Sequence, residues 1–187
     1  MTNRRLFIKS GIIVLLFVVT LLLCMLYGPW SRNYALPPAM RNVENNVDIF
    51  RIWEKEEVKG RILFLFDRHN QISPEVAAVS NDNYVSIALR KGIIREVHHI
   101  IPVSAWQEVR NKLLNTREFT YKGGIFVMPM AGGRLYVTTI DNIRSNKEKA
   151  LLVVNRNVWS HDELTAISKL MEDHVLESDL VIMRGVR

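Results

Sequence analysis

The apolar and polar positions of the chain divide it into two unequal parts. Residues 11–27 carry no charged side chain, and Thr20 interrupts an otherwise apolar run. At 1.5 Å per residue, a helix over this run would span roughly 25 Å, enough to cross the hydrocarbon core of a bilayer. No small-residue cleavage pattern follows the run. The pattern therefore predicts an uncleaved, single-pass transmembrane anchor over residues 11–30.

Charged and aromatic residues at the ends of the apolar run predict its orientation. These flanking residues are Arg4, Arg5 and Lys9 before the run, and Tyr27 and Trp30 at its end. Basic flanks stay in the cytoplasm and aromatic side chains favour the membrane interface, so residues 1–10 are predicted to be a cytoplasmic tail. The rest of the chain is then periplasmic or extracellular, attached to the cell (inner) membrane. The paired arginines also resemble a twin-arginine export signal, which is the alternative interpretation of this stretch.

A change of pattern after the anchor marks a tether and then a domain. Residues 31–46 are rich in Asn, Pro and Arg, which is typical of a tether. From residue 47 onward, short apolar runs alternate with helix signals. Continuous apolar runs at residues 62–66 and 151–154 predict strands that are buried on both faces.

Turn and capping residues complete the predicted architecture of residues 47–187. Ser104 with Gln107, and Ser160 with Glu163, have the spacing of capping boxes that begin helices. Two runs within residues 124–140 are joined through a Gly-containing turn, which predicts a β-hairpin. The alternation predicts an α/β fold: a three-layer α/β/α domain with a mainly parallel sheet and one hairpin.

Composition narrows the possible functions of this domain. The basic tail supplies half of the formal net charge of +6, and the other basic residues are scattered, so the sequence predicts no nucleic-acid partner. The single cysteine, Cys24, lies in the predicted anchor. A disulfide, a thiolate nucleophile and a zinc–thiolate site are therefore excluded from the domain.

Polar side chains follow two of the predicted strands at the point where each strand ends. Asp67 and His69 come directly after the first buried strand, and Asn155 and Asn157 directly after the second. Parallel α/β sheets bind ligands beyond the carboxyl ends of their strands. A carboxylate and an imidazole can hold a metal ion together if the chain stays extended. The alternative is that Asp67 caps the following turn and His69 makes local hydrogen bonds.

The two strand ends also resemble a known family. The segments LFLFDRHNQIS and ALLVVNRNVWSHDEL resemble the D-x-H and D-x-D motifs of the arginase/deacetylase-like metallohydrolases. The resemblance covers about residues 60–165. It implies a parallel α/β/α sheet and a divalent metal, manganese or zinc, held by four residues: Asp67, His69, Asn155 and Asn157. It also implies metal-assisted hydrolysis of C–N bonds.

The departures from the family pattern favour a degenerate member. Gln71, Asn155 and Asn157 are neutral amides at positions where anionic ligands are expected. An amide oxygen offsets no charge of a divalent cation, so the metal is expected to be lost or weakly bound. The sequence therefore predicts a non-catalytic binding or assembly module, with the lipid bilayer and another envelope protein as its partners. The alternative is a metal-dependent hydrolase of amide or C–N bonds in the cell envelope.

Overall fold

A computed structural model describes residues 39–69, 78–143, 146–173 and 175–185, all within one compact unit, residues 38–187. The strands are β1 (Ala39–Val43), β2 (Arg61–Phe66), β3 (Ile94–Ile101), β4 (Thr120–Lys122), β5 (Ile125–Met130), β6 (Gly133–Thr139), β7 (Asn146–Asn155) and β8 (Leu176–Arg184). The helices are α1 (Asn46–Lys55), α2 (Tyr84–Arg90), α3 (Val103–Leu114) and α4 (His161–Glu172). Short 3₁₀ turns cover Ile140–Asn142 and Arg156–Val158.

The eight strands of the described residues join one sheet in the order β1-β8-β7-β2-β3-β6-β5-β4. Along this sheet order, the neighbouring strands from β1 through β8, β7, β2 and β3 to β6 are all parallel. The last two strands, β5 and β4, pair in antiparallel orientation. The structure thus confirms an α/β fold with a mainly parallel sheet. The predicted hairpin is formed by β5 and β6, with Met130 paired to Gly133 across the turn.

The chain changes its direction of winding between the adjacent strands β2 and β7. From β2 it passes through α2 to β3 on one side, and from β7 it passes through α4 to β8 on the other side. Such a switch point leaves a crevice at the carboxyl ends of the two strands, where ligands of open α/β sheets bind. Asp67, directly after β2, and Asn155, the last residue of β7, are two of the candidate site residues predicted from the sequence.

Alternate residues of the central strands are buried on opposite faces of the sheet. Leu63 and Leu65 of β2 pack with residues of α1 and α2 on the first face. Phe64 and Phe66 pack on the second face in a cluster that includes Ile167 of α4. Because both faces are covered, these strands are apolar throughout, which made them visible in the sequence.

The sheet begins earlier in the chain than the sequence pattern indicated. The prediction ended the tether at residue 46, but Ala39–Val43 forms β1 and pairs in parallel with β8. Residues of β1 such as Met40 and Arg41 are exposed, because the strand lies at the edge of the sheet. An exposed edge strand needs no apolar run, so the pattern did not reveal it.

One of the two predicted capping boxes is present. The Ser160 side chain accepts from the Glu163 amide at 3.3 Å, and a Glu163 carboxylate oxygen accepts from the Ser160 amide at 3.0 Å. The box at Ser104 and Gln107 was wrong, because α3 begins at Val103, two residues earlier than the box predicts, and has Pro102 as its N-cap. Ser104 therefore lies inside the helix, where its side chain caps nothing.

The predicted membrane anchor lies outside the described residues. Among the parts of the chain that the structure describes, no helix is long and apolar enough to span a membrane. The anchor over residues 11–30 and its flanking residues therefore remain predictions from the sequence.

Candidate functional site

The ends of β2 and β7 bring two of the predicted residues into direct contact. Asp67 and Asn155 are separated by most of the domain in sequence, but the Asn155 amide nitrogen donates to Asp67 Oδ1 at 3.0 Å. Both side chains are buried, with Asp67 1% exposed and Asn155 5% exposed. The register of the parallel strands explains this contact, since Phe66 and Val154 are paired directly before them.

A third strand end completes the charge balance of this site. Arg184, at the end of β8, is paired in register with Asn155, and its Nη2 lies 2.8 Å from Asp67 Oδ2. The other guanidinium nitrogen, Nη1, donates to Asn46 Oδ1 of α1 at 2.8 Å. The Asn46 side chain in turn donates to the carbonyl oxygen of Asn81 at 2.7 Å. Arg184 thus connects β8 directly to the end of β2 and to α1. Through Asp67 it is linked to the end of β7, and through Asn46 to the loop before α2.

The other two predicted ligands contribute backbone groups instead of side chains. The amide of His69 donates to Asp67 Oδ1 at 3.3 Å, and the amide of Asn157 donates to Asn155 Oδ1 at 3.3 Å. Residues 67–69 form a bend, so the extended geometry assumed for a D-x-H metal pair is not present. The His69 and Asn157 side chains are exposed. The alternative interpretation, in which Asp67 caps the following turn, matches this geometry.

A buried histidine on the neighbouring strand β3 contacts the same end of β2. His99 Nε2 of β3 lies 2.8 Å from the carbonyl oxygen of Asp67. A carbonyl oxygen only accepts, so Nε2 carries the proton and Nδ1 is the acceptor nitrogen of a neutral ring. Burial lowers the pKa of His99 to about 4, although the Asp67 carbonyl and carboxylate oppose this shift. His99 is therefore neutral at physiological pH.

Tyr84 of α2 places a phenol close to the same charges. Its side chain is fully buried, and burial raises its pKa, as does the negative charge of Asp67, while Arg184 opposes the shift. Its hydroxyl has no hydrogen-bond partner within the described residues. The phenol remains protonated, so it can donate but cannot act as a base at physiological pH.

These contacts decide what the site can do chemically. Asp67 accepts hydrogen bonds from a guanidinium, an amide side chain and a backbone amide, so its charge is balanced inside the protein. Within the described parts of the chain, no three His, Cys, Asp or Glu side chains are grouped as a metal site would require. A divalent cation at Asp67 would have to replace Arg184, and the metal assignment stays a prediction.

Four residues of this network were not predicted from the sequence: Arg184, Asn46, His99 and Tyr84. Arg184 could have been found, because it is also the polar residue that directly follows an apolar segment, residues 180–183. No local signal marks the contact of His99 with the Asp67 carbonyl oxygen, because the two residues are 32 positions apart in the sequence. Asn46 fell in the predicted tether, and no local signal marks its long-range contact with Arg184.

Comparison of the chain with protein-family models, curated proteins and solved structures gave no match. The resemblance to arginase/deacetylase-like hydrolases therefore rests on the quoted motifs alone.

Proposed function

We propose that this protein is a single-pass membrane protein that presents a three-layer α/β/α domain outside the cytoplasm as a non-catalytic binding or assembly module. The observation that supports a non-catalytic role is the pairing of Asp67 with Arg184 at the switch point, 2.8 Å apart and largely removed from water. A guanidinium is permanently charged at physiological pH, so it occupies the position of a cation without any cofactor.

The same network suits a rigid support for exposed loops. Arg184 and Asn155 both contact the buried Asp67 side chain, and residues that follow Asp67 and Asn155 face solvent. Three of these exposed residues are Arg68, His69 and Arg156. Loops held by a rigid scaffold are common places for binding residues. The proposed partner, another envelope protein, would contact this edge of the sheet.

Membrane attachment is supported by the apolar run and its basic flank rather than by the folded domain. Protease added outside spheroplasts should digest the domain and spare the N-terminal tail. Digestion only after the membrane is permeabilised would reverse the proposed orientation. A tag on the tail, detected by antibody, reports which side of the membrane each fragment occupies.

The second candidate function is the metal-dependent hydrolase, which is favoured by the direct contact between Asp67 and Asn155. Elemental analysis of the full chain, purified in detergent, separates the two candidates. The binding module should contain no stoichiometric manganese or zinc, and its melting temperature should not respond to either ion. Stoichiometric metal that is lost in His69→Ala, a substitution at an exposed side chain, would support the hydrolase instead.

A further inference from the structure

A cavity of about 230 Å³ lies beneath α3, beside the carboxyl ends of β2, β3 and β6. Its apolar walls are Val109 and Leu113 of α3, Phe119 of the following loop and Val137 of β6. None of the residues of α3 is fully buried, and its inward side packs on the core through Ala105, Trp106, Val109 and Leu113. The cavity is smaller than the roughly 300–1,000 Å³ of sites for drug-sized ligands, so it suits a smaller molecule.

A buried hydrogen-bond acceptor lines the cavity. His99 is 3% exposed, and its Nε2 proton is committed to the Asp67 carbonyl oxygen. With Nε2 protonated, Nδ1 of the neutral ring is left as an acceptor. A ligand in the cavity could therefore donate a hydroxyl or N–H group to it.

Two cations at the cavity share a single carboxylate. Arg68 Nη2 lies 3.0 Å from Glu108 Oε2, and Lys112 Nζ lies 2.7 Å from Glu108 Oε1. Lys112, and then Arg68, lower the pKa of Glu108, so the carboxylate stays charged and leaves an excess of one positive charge. All three side chains are at least half exposed, so these ion pairs are weak and exchange readily.

We propose that this cavity binds a small amphipathic anion. The carboxylate of the ligand would contact Arg68 and Lys112, and its apolar body would lie against the apolar walls. A hydroxyl or N–H group at the other end would donate to His99 Nδ1. This proposal goes beyond the module role, because it assigns a small-molecule ligand and depends neither on the membrane orientation nor on the metal question.

The probe for this site is 4-hydroxybenzoate, which has a carboxylate, an apolar ring and a hydroxyl donor. Binding to the full chain in detergent is measured by NMR titration. Benzoate lacks the donor, and 4-hydroxybenzyl alcohol lacks the charge. One neutral hydrogen bond is worth about 0.5–1.5 kcal/mol, so benzoate should bind about 2–10-fold more weakly. Equal dissociation constants for all three compounds, or no saturable binding, would overturn the proposal.

Three substitutions on the same helix test the charges. Lys112→Met should weaken binding of 4-hydroxybenzoate several-fold, and Glu108→Gln should strengthen it by removing the competing carboxylate. Arg110→Met is the control, because Arg110 lies over the Tyr121 ring at 5.7 Å and does not line the cavity. If Lys112→Met and Arg110→Met change the dissociation constant equally, the anion does not bind here. Because metal content and protease accessibility are measured separately, failure of the module role would leave these binding results unchanged.

Discussion

The two ends of the parallel strands use polar residues in different ways. At the carboxyl ends, Asp67 and Arg184 form an ion pair with side chains 2% and 19% exposed. At the amino ends, Arg95 pairs with Glu148, whose side chains are 49% and 62% exposed. Removing one partner of a buried pair leaves the other charge away from water and uncompensated. Removing one partner of an exposed pair costs little, because water hydrates the remaining charge. Equal numbers of ion pairs therefore do not mean equal contributions to stability.

The largest expected effect breaks the buried pair. Arg184→Met should lower the free energy of unfolding by about 3–5 kcal/mol, because Asp67 would remain buried without its cation. Arg95→Met, the matched substitution at the opposite end of the strands, should cost less than about 1 kcal/mol. Denaturant unfolding of the full chain in detergent measures both values. Similar losses for the two variants would show that burial does not separate the two ends.

The next effect depends on pH and concerns His99. Its pKa in the folded protein is about 4, below the ordinary value of about 6.5, so the unfolded chain takes up the proton first as pH falls. The stability linked to neutral His99 is therefore complete above about pH 6.5 and is lost between there and about pH 4. The total loss is roughly 3 kcal/mol.

The variant His99→Gln isolates this contribution, since its amide can still donate to the Asp67 carbonyl oxygen but does not titrate. The difference in unfolding free energy between the natural protein and the variant should shrink or reverse as pH is lowered from 7 to 4. A difference that stays constant over this range would contradict a buried, neutral His99.

A smaller effect concerns the amino ends, where close backbone contacts take the place of a buried polar network. A Cβ atom at Gly133 would lie 2.0 Å from the carbonyl oxygen of Arg95, so Gly133→Ala must displace backbone. We expect a loss of about 1–3 kcal/mol. At Gly92, φ is +69° but nothing lies within 4 Å of a Cβ, so Gly92→Ala tests conformation alone. Thermal unfolding should show a larger drop in melting temperature for Gly133→Ala than for Gly92→Ala. The reverse order would contradict a steric clash between a Cβ at residue 133 and the Arg95 carbonyl oxygen.

The smallest effect compares two serines with the same local sequence pattern. Ser160→Ala should cost about 1 kcal/mol, because the Ser160 side chain caps α4. Ser104→Ala should cost almost nothing, because Ser104 lies within α3 and caps no amide. Hydrogen exchange of the first-turn amides of each helix, read site by site, detects the difference. Equal loss of protection would mean that the sequence pattern, rather than the observed cap, decides helix stability.

Sequence patterns predicted a structural element correctly where the interactions that form it are local or repeat along the chain. The continuous apolar runs of β2 and β7 follow from burial on both faces of the sheet, so they were visible in the sequence. The capping box at Ser160 was also visible in the sequence, because the interacting groups are only three residues apart. The box at Ser104 failed because a local pattern does not fix the residue at which a helix begins.

The sequence by itself determined the α/β class, the hairpin, and the positions of polar residues after two buried strands. Only the tertiary structure decided that Asp67 and Asn155 touch at a switch point and that Arg184 supplies the positive charge beside them. Strand order brings together residues that are distant in sequence, and no short motif records that order. The chemistry of the site depends on that order, because the same carboxylate could hold a metal ion without Arg184 but is neutralised with it.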